Sequence, residues 1–466
     1  MNLWNKEELI AALGDELLQN NLPENLVIDE VVIDGRKATK NGLFIAIKGE
    51  KNDGHDFLNQ ATENGCTTAI IDKLTTYHLP LTTILVKNTF TALYKLAEFS
   101  RKRSKAKIIA ITGSVGKTGT KEMLKLVFES QGKTFATAGN LNNHIGLPLC
   151  LCNFARDSDF GIFEMGMNHA GEIEPLSKLV KPHLALITNV GPVHIEFFKN
   201  EEEIAKAKAE IFSGLVDGGI CLINADNKHF ELLKKLAKNY VSFGEKKPCD
   251  YQIIKSETSS ANNSVVEAKL KNGNKIYYEI ATSQPATIFN SIITVACLDL
   301  LGNDFAKGIS SMKNLKTANG RGNVIETNNL TIIDDSYNAS VLSMRAGLEH
   351  AANLKKILGK KRVVAALGDM LELGEKSVEL HEEIADYLLQ FHIDFAVLVG
   401  NNMTQISKNL PTNSYKTFSD SQTASLEIES LLQDGDILYV KGSRGMKMEK
   451  LVEKLIKNLT NQKGAH

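Results

Sequence analysis

Apolar positions along this chain change period three times. Over residues 1 to about 100 they form short runs that read as strands: "LVIDEVVIDG", "GLFIAIKG", "TTAIID" and "TTILVK". The opening "MNLWNKEELIAALG" instead spaces its apolar residues for one face of a helix, and a second helix is expected near residues 89–103. Then strands and helices alternate. "KIIAIT" predicts a strand, and "KTGTKEMLKLVFESQG" predicts the helix that follows it. "DFGIFEMGM" and "LALITNVG" predict buried strands. "EEEIAKAKAEIFSGL" predicts a helix before the strand "GGICLINAD". Residues 240–282 read as short antiparallel strands. The last third alternates again through the strands "LTIIDD", "RVVAALG", "DFAVLVG" and "DILYVKG". The whole is an α/β protein with mostly parallel sheets covered on both faces. Boundaries are expected near residues 100 and 312. They give a small N-terminal α/β domain (1–100), a central domain (101–311) and a C-terminal domain (312–466).

Composition narrows the partners. Lys plus Arg total 54 against 55 Asp plus Glu, which gives no electrostatic reason to expect nucleic acid or an anionic membrane. No apolar run approaches the roughly 20 residues of a membrane span, and no secretory signal opens the chain, so a cytoplasmic protein is expected. Six cysteines are scattered. Cys150 and Cys152 lack a second pair that would complete a zinc site, and free buried thiols are expected.

The candidate chemistry begins at "AITGSVGKTGTKEML" (110–124). A Walker A loop has a glycine five residues before its Gly-Lys pair, where this chain has Ile111. The context is nonetheless right, with a strand before and a helix after. Gly113, Ser114, Val115, Gly116 and Gly119 form or flank a turn whose amide N–H groups and helix dipole favour phosphate. Lys117 would reach the β- and γ-phosphates and Thr118 would ligate Mg²⁺. The loop alone says only that a nucleoside triphosphate binds.

Two further residues lie at parallel-strand ends, where such sheets bind ligands. Glu164 ends "FGIFE" as a magnesium-ligand candidate, and His194 follows the next strand in "ITNVGPVHIEFF". Lys208 lies four residues after Ile204 and four before Phe212, on the apolar face of its helix, while Lys206 points away. Either its ammonium snorkels to water, or it is desolvated and its pKa falls. A neutral amine can take up carbon dioxide as a carbamate, an anion able to hold a metal. Asp53, His55 and Asp56 in "KNDGHDF" read as turn formers rather than a metal cluster. Asn140, Asn142 and Asn143 either contact substrate or shape their loop.

Together "GLFIAIKGEKNDGHDF", "GSVGKTGTKEM", "GNLNNHIGLPL", "EMGMNHAGEI", "TNVGPVHIEFF", "AKAKAEIF", "IDDSYNAS", "ALGDMLELGEKSVELH" and "VKGSRGMKME" resemble the Mur ligases. These are ATP-dependent amide-forming enzymes of peptidoglycan precursor synthesis, and their phosphate loop is naturally short. "EMGMNHAGEI" and "GDMLELGEKSVELH" resemble the branch that adds D-alanyl-D-alanine to UDP-N-acetylmuramoyl-tripeptide. The resemblance implies a UDP-substrate domain, a central P-loop ATPase domain and a C-terminal Rossmann-like domain. Nothing in the sequence requires an oligomer, and a monomer is expected. It implies ATP and two Mg²⁺, with Lys117 on the phosphates, Thr118 on one metal, Glu164 and His194 on the other, and a carbamylated Lys208 supporting the metal site. Asn290 would contact adenine, Arg321 the phosphates, and Asp335 the ribose. Three stretches depart from the family pattern: "ATIFN" lacks a His-Asn pair, "SYNASV" lacks a proline, and "DGR" (34–36) lacks a hydroxyl. Two alternatives stay open, a related ligase with another amino-acid substrate and a P-loop switch that ligates nothing. For a GTPase switch, "NADNKHF" supplies no N-K-x-D guanine motif.

Overall fold

The computed structural model describes residues 2–74, 80–193, 195–317 and 319–463. Three sheets follow one another along the chain. The first contains β1 (Leu17–Asn20), β2 (Glu30–Val32), β3 (Gly42–Ile45), β4 (Cys66–Ile71) and β5 (Thr82–Val86), in the order β1-β5-β4-β3-β2. Only the β1–β5 pair is antiparallel. The opening helix spans Lys6–Leu13 and starts on a capping box between Asn5 and Glu8. The second helix spans Thr89–Arg103, capped by Asn88.

The central sheet contains β6 (Lys107–Thr112), β7 (Thr134–Ala136), β8 (Phe160–Glu164), β9 (Leu184–Ile187), β10 (Ile220–Asn224), β11 (Tyr240–Gly244), β12 (Tyr251–Ser260), β13 (Asn263–Lys269) and β14 (Lys275–Ile280). Their order is β14-β13-β12-β11-β10-β9-β6-β8-β7. The run from β7 to β12 is parallel, and only β12, β13 and β14 pair antiparallel. This corrects the expectation for residues 240–282. Tyr240–Gly244 extends the parallel sheet beside β10, and β12 joins it in parallel before turning into the antiparallel hairpins. β11 is only five residues long, so its neighbours rather than its sequence set its direction.

Alternate residues of the central strands feed two cores. Ile108, Ala110, Phe163, Ala185 and Ile223 face a core shared with the N-terminal elements, including Trp4 and Leu9. Ile109, Ile111, Ile162, Leu186 and Leu222 face the helices Lys117–Glu129 and Pro285–Leu300. The only tryptophan, Trp4, is fully buried; its indole N–H donates to Cys152 O at 2.8 Å, and Arg103 lies over its ring at 4.2 Å. All six cysteines are free.

The third sheet contains β15 (Asn323–Glu326), β16 (Thr331–Asp335), β17 (Val363–Gly368), β18 (Phe395–Val399), β19 (Tyr415–Phe418) and β20 (Ile437–Lys441), in the order β15-β16-β20-β17-β18-β19. It is parallel apart from the β15–β16 hairpin. Helices cover both faces, Val341–Ile357 and Ser377–Gln390 on one, Ser421–Leu431 and Glu449–Lys463 on the other. Among the described residues no helix is long and apolar enough to cross a membrane.

The helix Val341–Ile357 also meets the central part. The imidazole of His350 lies 3.0 Å from Ser283 Oγ, and both are buried. Leu342 Cδ1 occupies the space beside Gly191, 2.3 Å from where a Cβ would sit. Burial holds the His350 imidazole down to about 4, so folding favours its neutral form. That contribution is full above pH 6.5 and fades as pH falls from 6.5 toward 4; the gap is worth about 3 kcal/mol. His183, also lowered to about 4, contributes in the same direction. The urea midpoint of His350→Gln is therefore expected to fall less between pH 7 and pH 4.5 than that of the parent. Parallel pH profiles would show that the junction does not titrate.

Candidate active site

The site lies beyond the carboxyl ends of β8, β6 and β9. The chain leaves β6 in one direction and returns on its other side, a topological switch point where open α/β sheets bind ligands. The phosphate-type loop follows β6, and helix Lys117–Glu129 starts at its end. Gly116 is left-handed at φ +85°, and its open α-face lies against Asn290, whose Nδ2 would be 2.7 Å from a Cβ there. At Gly113 a Cβ would sit 2.0 Å from Thr188 Oγ1. These two approaches explain why glycine is needed at both positions.

The loop is tied to the turn after β9. Ser114 N–H donates to Asn189 O at 2.8 Å, and Ser114 Oγ and Gly191 exchange hydrogen bonds at 3.0 Å. Thr188 Oγ1 donates to Val115 O at 2.5 Å, and Asn227 Nδ2 supports the turn at Val190 O at 2.9 Å. Lys117 folds back so that its Nζ donates to Gly113 O at 2.6 Å. Thr118 is half-buried on the first turn of the helix, and Gly119 is exposed.

Four charged groups converge on this loop. Burial lowers the Lys117 ammonium, and nearby Arg321 lowers it further, while Glu164 opposes both. Lys208 is only 3% exposed and its pKa is driven well below the ordinary lysine value, first by burial and then by Lys117. It has no hydrogen bond or ion pair among the described residues, so it is desolvated rather than snorkelling. Lys206, by contrast, is exposed and pairs with Glu202 at 2.7 Å. Lys208 is delivered by the helix Glu201–Ala209, capped by Asn200, and Ile204 beside it is fully buried. Glu164, at the end of β8, is 2% exposed. Its Oε1 accepts from Asn142 Nδ2 at 2.9 Å, while Oε2 is buried without a partner among the described residues. A dry, unpaired carboxylate oxygen is costly, and a cation is the partner that removes the cost.

The third sheet contributes its own groups. Arg321 stacks on Tyr337 at 3.9 Å, and Gly320 N–H donates to Asp334 Oδ2 at 3.0 Å. Asp335 ends β16 and accepts from Lys441 Nζ at 2.6 Å and Tyr439 Oη at 3.3 Å. Its carboxyl is pushed up by burial, against the pull of Lys441. The structure thus brings Gly113, Ser114, Val115, Gly116, Lys117, Glu164, Lys208, Asn290 and Arg321 to one place. It engages Asp335 with Lys441 and Tyr439, and His194 lies outside the described residues.

Sequence reasoning did not single out Thr188, Thr137, Lys121 or Tyr337. Tyr337 stood in the quoted "IDDSYNAS", and only its ring stacking gives it a part in the site. Among the described residues no three His, Cys, Asp or Glu side chains form a metal cage. In the "KNDGHDF" turn, Asp53 instead caps the 3₁₀ turn Gly54–Phe57 and binds Lys73 at 2.6 Å, with His55 Nδ1 2.7 Å away.

A short phosphate loop at a switch point, backed by lysines and a buried carboxylate, defines a nucleotide-using enzyme of the P-loop class. The chain belongs to the Mur ligase family, and it is an ATP-dependent ligase. The family model described as Mur ligase middle domain matches residues 111–298, the Mur ligase, glutamate ligase domain matches 320–444, and the Mur ligase family, catalytic domain matches 27–98. The UDP-N-acetylmuramoyl-tripeptide–D-alanyl-D-alanine ligase of Rickettsia prowazekii is 37% identical over 458 residues, covering 97% of this chain and 99% of that protein. Crystal structure I of MurF from Acinetobacter baumannii superposes with a TM-score of 0.86 at 28% identity, covering 97% of this chain and 99% of that one. The MurF ligase of Thermotoga maritima in complex with ADP gives a TM-score of 0.79 at 26% identity, with coverages of 94% and 100%.

The loop geometry makes a sharp prediction at Gly113. In Gly113→Ala the new methyl meets the Thr188 hydroxyl and strains the loop by about 1–3 kcal/mol. ADP affinity is expected to fall roughly tenfold to a hundredfold, measured with a fluorescent ADP analogue. Unchanged affinity would show that the loop does not hold the phosphates.

Proposed function

We propose that this chain joins D-alanyl-D-alanine to the free carboxylate of UDP-N-acetylmuramoyl-tripeptide at the expense of ATP. The full-length match to a ligase of that name supports the substrates. The observation that carries the site is the meeting of Lys117 with Arg321, Lys208 and Glu164, whose Oε2 has no partner among the described residues. The Lys117 and Arg321 cations suit a polyphosphate.

A carboxylate cannot be displaced by an amine until its oxygen becomes a leaving group. Attack of the tripeptide carboxylate on the γ-phosphorus forms a new P–O bond and breaks the one to ADP. The resulting acyl phosphate is attacked at carbon by the dipeptide amine; the amide forms, the C–O bond breaks and phosphate leaves. Lys117 exchanges Gly113 O for phosphate oxygens and neutralises charge in both steps. Arg321, held flat on Tyr337, reaches the phosphates from the third sheet. Asn290, packed on Gly116, faces the adenine side, and Asp335 the ribose. The loop amides and helix dipole fix the phosphates for in-line transfer.

Glu164 Oε2, the Thr118 hydroxyl and Lys208 would hold Mg²⁺, the donor set a hard cation prefers if Lys208 is a carbamate. Bound Mg²⁺ supplies charge neutralisation on the phosphates. The depressed pKa of Lys208 favours the neutral amine that carbon dioxide requires. Carbamylation would also replace repulsion between Lys208 and Lys117 by attraction. The spans 1–100, 101–311 and 312–466 are proposed as the three domains, each holding all the strands of one sheet. One chain supplies every site group, which suits a monomer. ATP and a nucleotide-linked substrate place the reaction in the cytoplasm.

Phosphate release is expected only with both UDP-N-acetylmuramoyl-tripeptide and D-alanyl-D-alanine present, with the pentapeptide product detected by mass. Release indifferent to either substrate would overturn the assignment. Lys208→Ala is expected to lose at least about a hundredfold in rate, with partial recovery in short carboxylic acids. Full activity without them would exclude a carbamate.

A further inference from the structure

We propose that Asn142, backed by the buried Lys121, is a positioning residue that decides which oxygen of Glu164 faces the site. The inference rests on the reading of Glu164 as a metal-holding carboxylate.

Lys121 lies one helical turn after Lys117 and takes no part in the chemistry above. It is fully buried, and a buried ammonium persists only with partners. Its Nζ donates to Thr137 O at 2.7 Å and lies 2.9 Å from Glu122 Oε1. Lys121 therefore pins the phosphate-loop helix to the residue that follows β7. Thr137 is fixed a second time by its own N–H, which donates to Ile162 O at 3.0 Å. Its hydroxyl then accepts the Glu164 N–H at 3.1 Å.

Five residues on, the same loop returns to Glu164. Asn142 Nδ2 donates to Glu164 Oε1 at 2.9 Å, and Asn142 O accepts the Gly166 N–H at 2.9 Å. The amide is confined from behind, because a Cβ at Gly166 would sit 2.9 Å from Asn142 Oδ1. Glu164 is thus held at its backbone and at one carboxylate oxygen by a single loop, and that loop is locked to the phosphate helix by Lys121. With Oε1 engaged, Oε2 is the oxygen left dry and, among the described residues, unpartnered. Asparagine suits the position because its amide donates; an aspartate of the same shape would present a second carboxylate to the first. Asn143 does different work, since its Oδ1 accepts the N–H groups of Ile145 and Gly146 ahead of the next helix.

The test is a titration of Mn²⁺ into the full-length protein holding ADP, with free Mn²⁺ read by electron paramagnetic resonance. ADP affinity is measured separately in EDTA. Asn142→Ala is expected to weaken Mn²⁺ about tenfold, and Asn142→Asp and Glu164→Gln by more than tenfold, the range seen when groups supporting a metal ligand are lost. ADP affinity without metal is expected to stay within about twofold, which a general loss of structure would not permit. Lys121→Met is expected to follow Asn142→Ala; should it fail to fold, the Asn142 variants in the half-exposed loop still decide. Parental Mn²⁺ affinity in Asn142→Ala, with a raised KM for the UDP-linked substrate, would make Asn142 a substrate contact and overturn the inference. Parental Mn²⁺ affinity in Glu164→Gln would instead overturn the metal reading beneath it.

Discussion

The desolvation of one lysine beside another governs this site. Burial drives the Lys208 ammonium far below its ordinary pKa, and the nearby Lys117 lowers it further. Lys117, half-buried, is itself lowered by burial and by Arg321, and Glu164 is the acidic group that answers it. Such an arrangement is unstable in itself, because buried charge needs partners. It is tolerated because the surrounding sheets are apolar and closely packed on both faces. The imbalance gives the site its selectivity. Any ligand that binds must bring negative charge, and the polyphosphate of a nucleotide does.

The three sheets divide the labour accordingly. The central one supplies the loop after β6, Glu164 at the end of β8 and Lys208 on the helix between β9 and β10, so their relative positions follow from strand register. The third supplies Arg321 through a turn held by Asp334, and its first helix rests on Gly191, in the turn that also holds Ser114. Movement of the third sheet would thus be felt at the phosphate loop through Leu342, Gly191 and Ser114 without contact to the nucleotide. The His350–Ser283 pair lies buried at the same junction.

Much of this was legible in the sequence. The strands around β6, β8, β9 and β10 are nearly continuous apolar runs, and their ends carry the polar residues that matter. The helical spacing around Lys208 already placed a lysine on a buried face, and the structure leaves it without a polar partner among the described residues. The direction of β11 was not legible, because a strand of five residues carries no mark of its neighbours. Nor was the hold on Glu164, which depends on bonds from Lys121 to Thr137, Thr137 to Glu164 and Asn142 to Glu164 that span 16 to 27 residues of chain. Pairing between loops leaves no period in a sequence. Tyr337 went unmarked for the same reason, since stacking beneath an arginine is a fact of the fold.

The site follows one rule at several positions. Each functional group is anchored at one end and left unsatisfied at the other. Glu164 has Oε1 bonded and Oε2 without a partner among the described residues. Arg321 is held through its flat face on Tyr337, which leaves its N–H edges available, since stacking uses no donor. Lys208 is fixed by the packing of its helix and has no polar partner among the described residues. Among the described residues Lys117 is bonded only to the carbonyl of its own loop. Full satisfaction would make the protein more stable and the site inert, because each bond made internally is one that a phosphate would have to break. The anchors lie in rigid elements, so the free ends are already aimed when charge arrives, and little reorganisation remains to be done.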